Sequence, residues 1–295
     1  MFKCFDPEFK YVDLDKSPLK FKHKLMGHPT LSIDNLCRVI PELPENQVMY
    51  SKGLSDLGIN FDRAHIEHKN GLSLRETIET IQTSNSYIAV KNPEFHSSFK
   101  ELFGDLAADM SELIKLKGKG TVAKEPTLWM FVASPNAQTP FHFDRYSNFI
   151  MQFRGSKEMA VFPPLNENVI STQDYEAYMD RTEQRPPWKP ELDQYAQKFH
   201  FTPGEALHIP FTSGHYVKNG PEDISISLTM FFHTDETLRR VNAMRLNHRL
   251  RRRMQKFGLQ MSPVGKSDRM DSFKASMLPA ADRLGNMMGR LKNLR

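Results

Sequence analysis

The sequence has only two cysteines in its 295 residues, Cys4 and Cys37, and they form no CxxC motif. This excludes a disulfide framework and favours reduced thiols in a cytoplasmic protein. No run of about 18 apolar residues occurs, so we expect no membrane-spanning helix and no membrane partner. The first residues lack the apolar core of a signal peptide, which also favours a cytoplasmic location.

Acidic residues are scarce at the C-terminal end. Residues 239–295 contain 15 Lys and Arg against 3 Asp and Glu, whereas residues 1–238 contain 25 against 32. An acidic body therefore carries a basic tail. Such a tail could bind the phosphates of a nucleic acid. It could equally be a solvated helix face on which arginine stems cover apolar surface.

Changes in residue pattern predict three regions. Residues 1–120 mix helical and strand patterns, including a long helical stretch at 93–118. Residues 121–233 consist of short aromatic or β-branched runs punctuated by Pro, Gly and Asn, which predicts a β-sandwich or barrel. A polar insertion at 165–197 interrupts them, and we expect it to be partly helical, a cover over a substrate or a plain surface insertion.

The third region, residues 234–295, predicts basic helices with apolar stripes that would pack on another helix or subunit. The last of these stripes consists of Met270, Phe273, Met277, Leu284, Met287, Met288 and Leu291.

His142 and Asp144 stand two residues apart in the run FHFDRYSNF. Residues two apart on a strand point to the same side, so an imidazole and a carboxylate converge there. A third candidate ligand, His215, lies 71 residues after Asp144 and follows a predicted strand. Two histidines and one carboxylate form the facial triad of non-haem Fe(II) oxygenases, which leaves coordination positions open. Taken alone, the pair is weak evidence, because a strand histidine is often simply hydrogen-bonded.

Lys157 follows Asp144 by 13 residues, at the start of the apolar run EMAVFPP. Burying an unpaired ammonium is costly, so a lysine that enters a barrel strand suggests an anionic partner such as a dicarboxylate co-substrate. An exposed strand end is the alternative. Thr139 and Asn148 flank the His–Asp pair with uncharged donors.

The spacing T-x-x-H-x-D-x-x-x-N-x-x-x-Q-x-x-x-x-K, followed by FTPGEALHIPFTSGHYVKN, resembles the JmjC-type, cupin-like 2-oxoglutarate oxygenases over about residues 128–232. Within that family it resembles most the branch with the asparaginyl hydroxylase of hypoxia-inducible factor and bacterial cupin-like proteins. The resemblance implies a mainly β fold, a double-stranded β-helix or jelly roll with flanking helices. It also implies a dioxygenase that hydroxylates a C–H bond while 2-oxoglutarate becomes succinate and CO2.

The resemblance also assigns roles to single residues. His142, Asp144 and His215 are implied to ligate Fe(II). Lys157 is implied to pair with the distal carboxylate of 2-oxoglutarate, and Thr139 to hydrogen-bond the same group.

Further along the motif, Asn148 is implied to lie beside the metal and co-substrate, and Gln152 to lie on the substrate side. Thr229 stands where the asparaginyl hydroxylase has an asparagine on its last core strand, and it is a candidate for cofactor binding. That relative also uses a tyrosine on an earlier strand, for which this sequence offers no evident counterpart; Trp129 or Phe131 falls near its place.

Two other functions remain open at this stage. A metal-binding cupin-like sensor or transcriptional regulator without turnover is suggested by Thr229 and the basic tail. A dioxygenase without a keto-acid co-substrate is the other. The substrate of an oxygenase could be a protein, a nucleic acid or a small molecule, and related oxygenases suggest a homodimer through the C-terminal helices.

Overall fold

The structure, a computed structural model, describes residues 1–54, 56–182 and 186–292, with the side chains of residues 252 and 284–292 left out. Within that part of the chain, no helix is both long and apolar enough to cross a membrane. The chain divides into two compact units. The first comprises Met1–Pro164 and Pro187–Thr234, and the second comprises Leu165–Pro186 and Asp235–Arg295.

Strands dominate the first unit. In chain order they are β1 (Leu19–Lys22), β2 (Val48–Lys52), β3 (Ser86–Lys91), β4 (Lys124–Ala133), β5 (Gln138–His142), β6 (Ser147–Arg154), β7 (Lys157–Val161), β8 (Gln197–Phe201), β9 (Glu205–Ile209), β10 (His215–Asn219) and β11 (Ser225–His233). The α-helices of the chain are α1 (Ile33–Glu42), α2 (Ala64–Glu67), α3 (Leu74–Glu79), α4 (Lys100–Leu116), α5 (Thr172–Met179), α6 (Asp235–Lys256) and α7 (Asp268–Lys292).

The strands form two antiparallel sheets. The larger sheet has seven strands in the order β1-β9-β6-β11-β4-β3-β2, and the smaller has four in the order β5-β10-β7-β8. From β4 to β11 the chain passes back and forth between the sheets, with only β7 and β8 staying consecutively in the smaller one, as in a double-stranded β-helix. Strands β1, β2 and β3 extend the larger sheet at its edges. The predicted jelly roll with flanking helices is confirmed.

The two faces of the larger sheet bury different residues. On β6, Phe149 and Met151 belong to the main hydrophobic core, together with residues of the N-terminal segment and α4. The ring of Phe149 stacks on that of Phe232 at 5.5 Å. Ile150 points the other way, as the period of a strand requires. It belongs to the cluster between the sheets, formed by Ile150, Met159, Val161, Phe201, Leu207, Ile209 and Val217.

The helix predicted at 93–118 is shorter in the structure. Two 3-10 turns, Pro93–Phe95 and Ser97–Phe99, precede α4, which begins at Lys100. The reason lies in the local sequence. Pro93 begins the first turn, and the ring of His96 accepts a hydrogen bond from the backbone N–H of Ser98, which caps the second turn. Gly118, with φ of 63°, follows the helix end.

The insertion at 165–197 is shared between the units. Its first part contains α5 and packs with α6 in the second unit. Its last part belongs to the first unit, because the Trp188 ring lies 5.3 Å from the rings of both Phe141 and Tyr216. The Tyr216 hydroxyl also donates to Asp193 at 2.6 Å. Residues 183–185 of the insertion lie outside the described part of the chain.

Candidate metal centre

Pairing of β5 with β10 brings the three predicted ligands together. His142 ends β5, His215 begins β10, and the two are register partners whose rings lie 4.2 Å apart. Asp144 Oδ2 is 3.5 Å from Nε2 of His215. One ligand atom from each of the three residues lies within 4.8 Å of the other two. Two side chains that stand two residues apart in the sequence and one from a distant strand therefore face a single point.

Hydrogen bonds to neighbouring groups prepare each ligand for a metal ion. Nδ1 of His142 is 2.8 Å from the Pro140 carbonyl oxygen, and Nδ1 of His215 is 3.0 Å from the Ser213 carbonyl oxygen. A carbonyl only accepts, so each Nδ1 carries the proton and each Nε2 keeps a lone pair for the metal. The Asn148 amide donates to Asp144 Oδ2 at 2.9 Å and orients that carboxylate. This set of donors fits a divalent first-row metal such as Fe(II).

Lys157 is a buried cation in the same barrel as the three ligands. It is 6% exposed, and its ammonium donates to the Ser227 hydroxyl at 2.9 Å and lies 6.0 Å from the Phe201 ring. Among the described residues no carboxylate forms an ion pair with it, and burial lowers the pKa of Lys157 to about 7. An ammonium placed in this way is stabilised by an incoming anion.

Tyr87 is a residue of this site that sequence reasoning missed. It lies on β3 and is buried, and its phenol interacts with the side chain of Thr139 on β5. Burial raises the pKa of Tyr87, so the phenol stays protonated and can donate. Tyr87 lies on the strand before β4, the strand that carries Trp129 and Phe131. The run SYIAVK predicted that strand, but sequence alone did not show that it extends the barrel sheet.

Several buried oxygens inside the barrel have no hydrogen-bond partner among the described residues: Asn148 Oδ1, Gln152 Oε1, Asn219 Oδ1 and Thr229 Oγ1. A buried polar group without a partner costs about 1–3 kcal/mol. Thr229, the predicted departure from the family pattern, is register partner of Ile150 on β6, so it faces the space between the sheets. Such an interior fits a polar ligand.

The structure gives Gln152 contacts within the protein. Its amide donates to the carbonyl oxygens of Arg154 at 2.5 Å and Gly155 at 3.1 Å, and to the hydroxyl of Ser225 at 3.1 Å. These bonds hold the turn between β6 and β7. Gly155 in this turn has φ of 64°, and a Cβ there would lie 2.3 Å from the Ile224 carbonyl oxygen. The predicted role of Gln152 toward a substrate stays a prediction.

A family model described as a cupin-like domain matches residues 45–237 of this chain. No curated protein matches at a significant level. Among solved structures, YcfD of Escherichia coli is 15% identical, with 90% of this chain and 62% of that chain covered and a TM-score of 0.49.

A second structure of YcfD, a ribosomal oxygenase in complex with cobalt and 2-oxoglutarate, is 18% identical with a TM-score of 0.44, covering 97% of this chain and 66% of that one. Oxalate decarboxylase from Bacillus subtilis is 19% identical with a TM-score of 0.26, covering 41% and 25%. This chain thus spans less than two thirds of these structures' lengths. At such TM-scores the likenesses carry no argument about activity.

The family model covers more than half of the chain, and its span contains both the complete barrel and the three converging ligands. The resemblance found in the motif and the observed jelly roll agree with that match. The chain belongs to the family of proteins with a cupin-like domain.

Proposed function

We propose that this protein is an Fe(II)- and 2-oxoglutarate-dependent oxygenase that hydroxylates a C–H bond and releases succinate and CO2. The observation that carries the proposal is the buried ammonium of Lys157, without a carboxylate partner among the described residues, in the same barrel as the His142–Asp144–His215 triad. A metal-binding protein without a co-substrate gains nothing from such a cation, which costs folding free energy.

Each residue has a distinct task in this proposal. The triad would hold Fe(II), which supplies oxygen activation and C–H cleavage when it is bound. Lys157 neutralises the distal carboxylate of 2-oxoglutarate. Thr139, whose side chain interacts with the phenol of Tyr87, donates to the same carboxylate. The apolar cluster between the sheets excludes water from the space between the triad and Lys157.

Succinate formation tests the proposal. The protein is incubated with Fe(II), 2-oxoglutarate and oxygen, and succinate is measured by mass spectrometry. We expect slow formation even without the prime substrate, and none for Asp144→Ala. Metal binding without any succinate would instead support the sensor or regulator.

A dioxygenase that needs no keto acid is the remaining alternative. Lys157→Ala separates it from the main proposal, because this variant should cripple 2-oxoglutarate turnover yet leave a keto-acid-independent activity largely intact. Lys157→Arg restores the charge and is the matched control.

The identity of the partners and the cytoplasmic location stay predictions. A homodimer through the C-terminal helices is supported by Met270, Phe273 and Met277 of α7, which share one face of the helix and are 45%, 62% and 45% exposed. Sedimentation velocity of Phe273→Ser would show a monomer if that face is the interface. The other members of the predicted stripe lie beyond the described side chains.

Nucleic-acid binding by the basic tail also remains a proposal, and the ion pairs of the second unit weaken it. Their acidic partners lie on α5, directly after its end at Asp180, and on α6 and α7. The arginines already paired are Arg239, Arg240, Arg245, Arg249 and Arg251. A gel-shift titration at two salt concentrations tests it, since phosphate contacts weaken steeply with salt.

A further inference from the structure

Lys91 is a cation on the inner face of the larger sheet, whereas Lys157 lies on β7 of the smaller sheet. Lys91 is the register partner of Trp129 on β4. Trp129 in turn pairs with Thr229 on β11, and Thr229 pairs with Ile150 on β6. Directly paired residues of antiparallel strands lie on the same face. Ile150 belongs to the cluster between the sheets, so Lys91 and Trp129 are also on the inner face.

The surroundings of Lys91 are aromatic. Its ammonium lies 5.0 Å from the centre of the Trp129 ring, and the side chain is half-buried. Burial lowers the pKa of Lys91, an effect that the charge of the exposed Asp62 opposes. No carboxylate of the described residues forms an ion pair with it. The side chain thus combines a cation, a flat apolar surface and access to solvent.

Two sets of ring contacts connect this place with the candidate metal centre. Phe61, next to Asp62, stacks on the ligand His142 at 5.2 Å. On the other side, the Trp129 ring lies 5.9 Å from that of Phe231. Phe231 is the register partner of Asn148, whose amide holds Asp144. Two strand spacings, roughly 10 Å, separate the backbones of Lys91 and Thr229.

We propose that Lys91 and Trp129 form a substrate subsite that binds an anionic group, a carboxylate or a phosphate, attached to a planar or apolar body lying along Trp129 and Phe231. The inference rests on the proposed oxygenase function, because it names the substrate class of the same barrel. The subsite is separate from Lys157, whose ammonium bonds to Ser227, two residues before Thr229 on β11. A neutral isostere of the substrate leaves the ammonium unpaired and binds less tightly.

Ligand binding is measured through the fluorescence of Trp129 in a Trp188→Phe background, since the chain has only these two tryptophans. The probes are phenylacetate, phenyl phosphate and the neutral phenylacetamide, added to protein with Co(II) and 2-oxoglutarate. We expect at least one anion to bind roughly tenfold more tightly than the amide. The better of the two anions identifies the group. Equal binding of the three probes overturns the proposal.

Variants then assign the preference to Lys91. We expect Lys91→Met to lose the preference for the anion and Lys91→Arg to keep it. Lys218→Met is the matched control, because Lys218 also lies over an aromatic ring, that of Tyr216 at 5.7 Å, but on an exposed position of β10. An unchanged preference in Lys91→Met, or its loss in Lys218→Met, overturns the proposal.

Succinate formation by the wild type without any probe is measured alongside. An anion preference that depends on Lys91, without succinate, keeps the subsite and rejects the oxygenase function. Succinate without the preference keeps the oxygenase and rejects the subsite.

Discussion

The two units of the molecule treat buried charge differently. In the helical unit, the carboxylate of Glu176 is 1% exposed and is met by the guanidinium of Arg251 and the amide of Asn247. In the barrel unit, the ammonium of Lys157 is 6% exposed and is met only by the hydroxyl of Ser227 among the described residues. The first charge is neutralised by the protein itself, whereas the second keeps its charge available for a ligand.

This difference separates stabilising from functional charges. A buried ion pair becomes strongly unfavourable when one member is removed, because the other is left alone. A buried charge without a counter-ion already lowers the stability of the fold. Its removal should therefore leave the free energy of unfolding unchanged or increase it, and should weaken only ligand binding. Four expected results test this difference between the two units. They follow in order of decreasing free-energy effect.

The largest effect is expected at Glu176. Glu176→Ala leaves the guanidinium of Arg251 without its counter-ion, so we expect a loss of about 3–5 kcal/mol in the free energy of unfolding. Urea denaturation followed by circular dichroism measures it. Binding of 2-oxoglutarate by the folded variant should be unchanged, and a folded variant as stable as the wild type would contradict the comparison.

The next effect is expected at Lys157. Lys157→Met removes a cation that a bound dicarboxylate would need, so we expect affinity for 2-oxoglutarate to fall roughly 100-fold, or about 2.7 kcal/mol. The free energy of unfolding should stay the same or increase, because the desolvated ammonium is gone. Calorimetry with Co(II) present measures the binding. A destabilised variant with normal affinity would make Lys157 a structural residue.

The pH dependence of binding is expected to be smaller. The pKa of Lys157 is about 7 in the ligand-free protein, and a dicarboxylate binds the protonated form. Above pH 7 binding must therefore take up a proton, and affinity for 2-oxoglutarate should fall roughly tenfold from pH 6 to pH 8. Calorimetry in buffers of different ionisation enthalpy measures the uptake. 2-Oxobutanoate, which lacks the distal carboxylate, should show none.

The smallest effect is expected at an exposed pair. Arg75 and Glu79 lie 3.0 Å apart on α3 with side chains 85% and 60% exposed. Arg75→Gln should change the free energy of unfolding by less than about 0.5 kcal/mol. Thermal unfolding at low and high salt measures it. A larger loss would mean that exposure does not distinguish this pair from the buried pair at Glu176.

The sequence predicted the barrel and the common side of His142 and Asp144 because both rest on local rules. Period-two alternation around His142 and Asp144 fixes their common side, and short punctuated runs predict strands. The meeting of His215 with this pair was a hypothesis, since strand order is a non-local property. The pairing of β10 with β5 supplied the missing step.

Tyr87 and Lys91 show what the sequence could not provide. Both lie on β3, outside the motif, and reach the barrel only because β3 pairs with β4. Their side chains face inward through a register that no local pattern specifies. The division of the insertion between the two units is non-local in the same way, because contacts of Trp188 with distant rings decide which unit its last residues join.

The turn between β6 and β7, which carries the chain from the larger sheet to the smaller, has a consequence for chemical selectivity. Gly155 in this turn cannot accept a side chain without meeting the Ile224 carbonyl, so the turn that leads from the strand of Asn148 to the strand of Lys157 tolerates little change. We therefore expect the protein to discriminate among keto diacids by length. Calorimetry should show weaker binding of the four-carbon oxaloacetate and the six-carbon 2-oxoadipate than of 2-oxoglutarate.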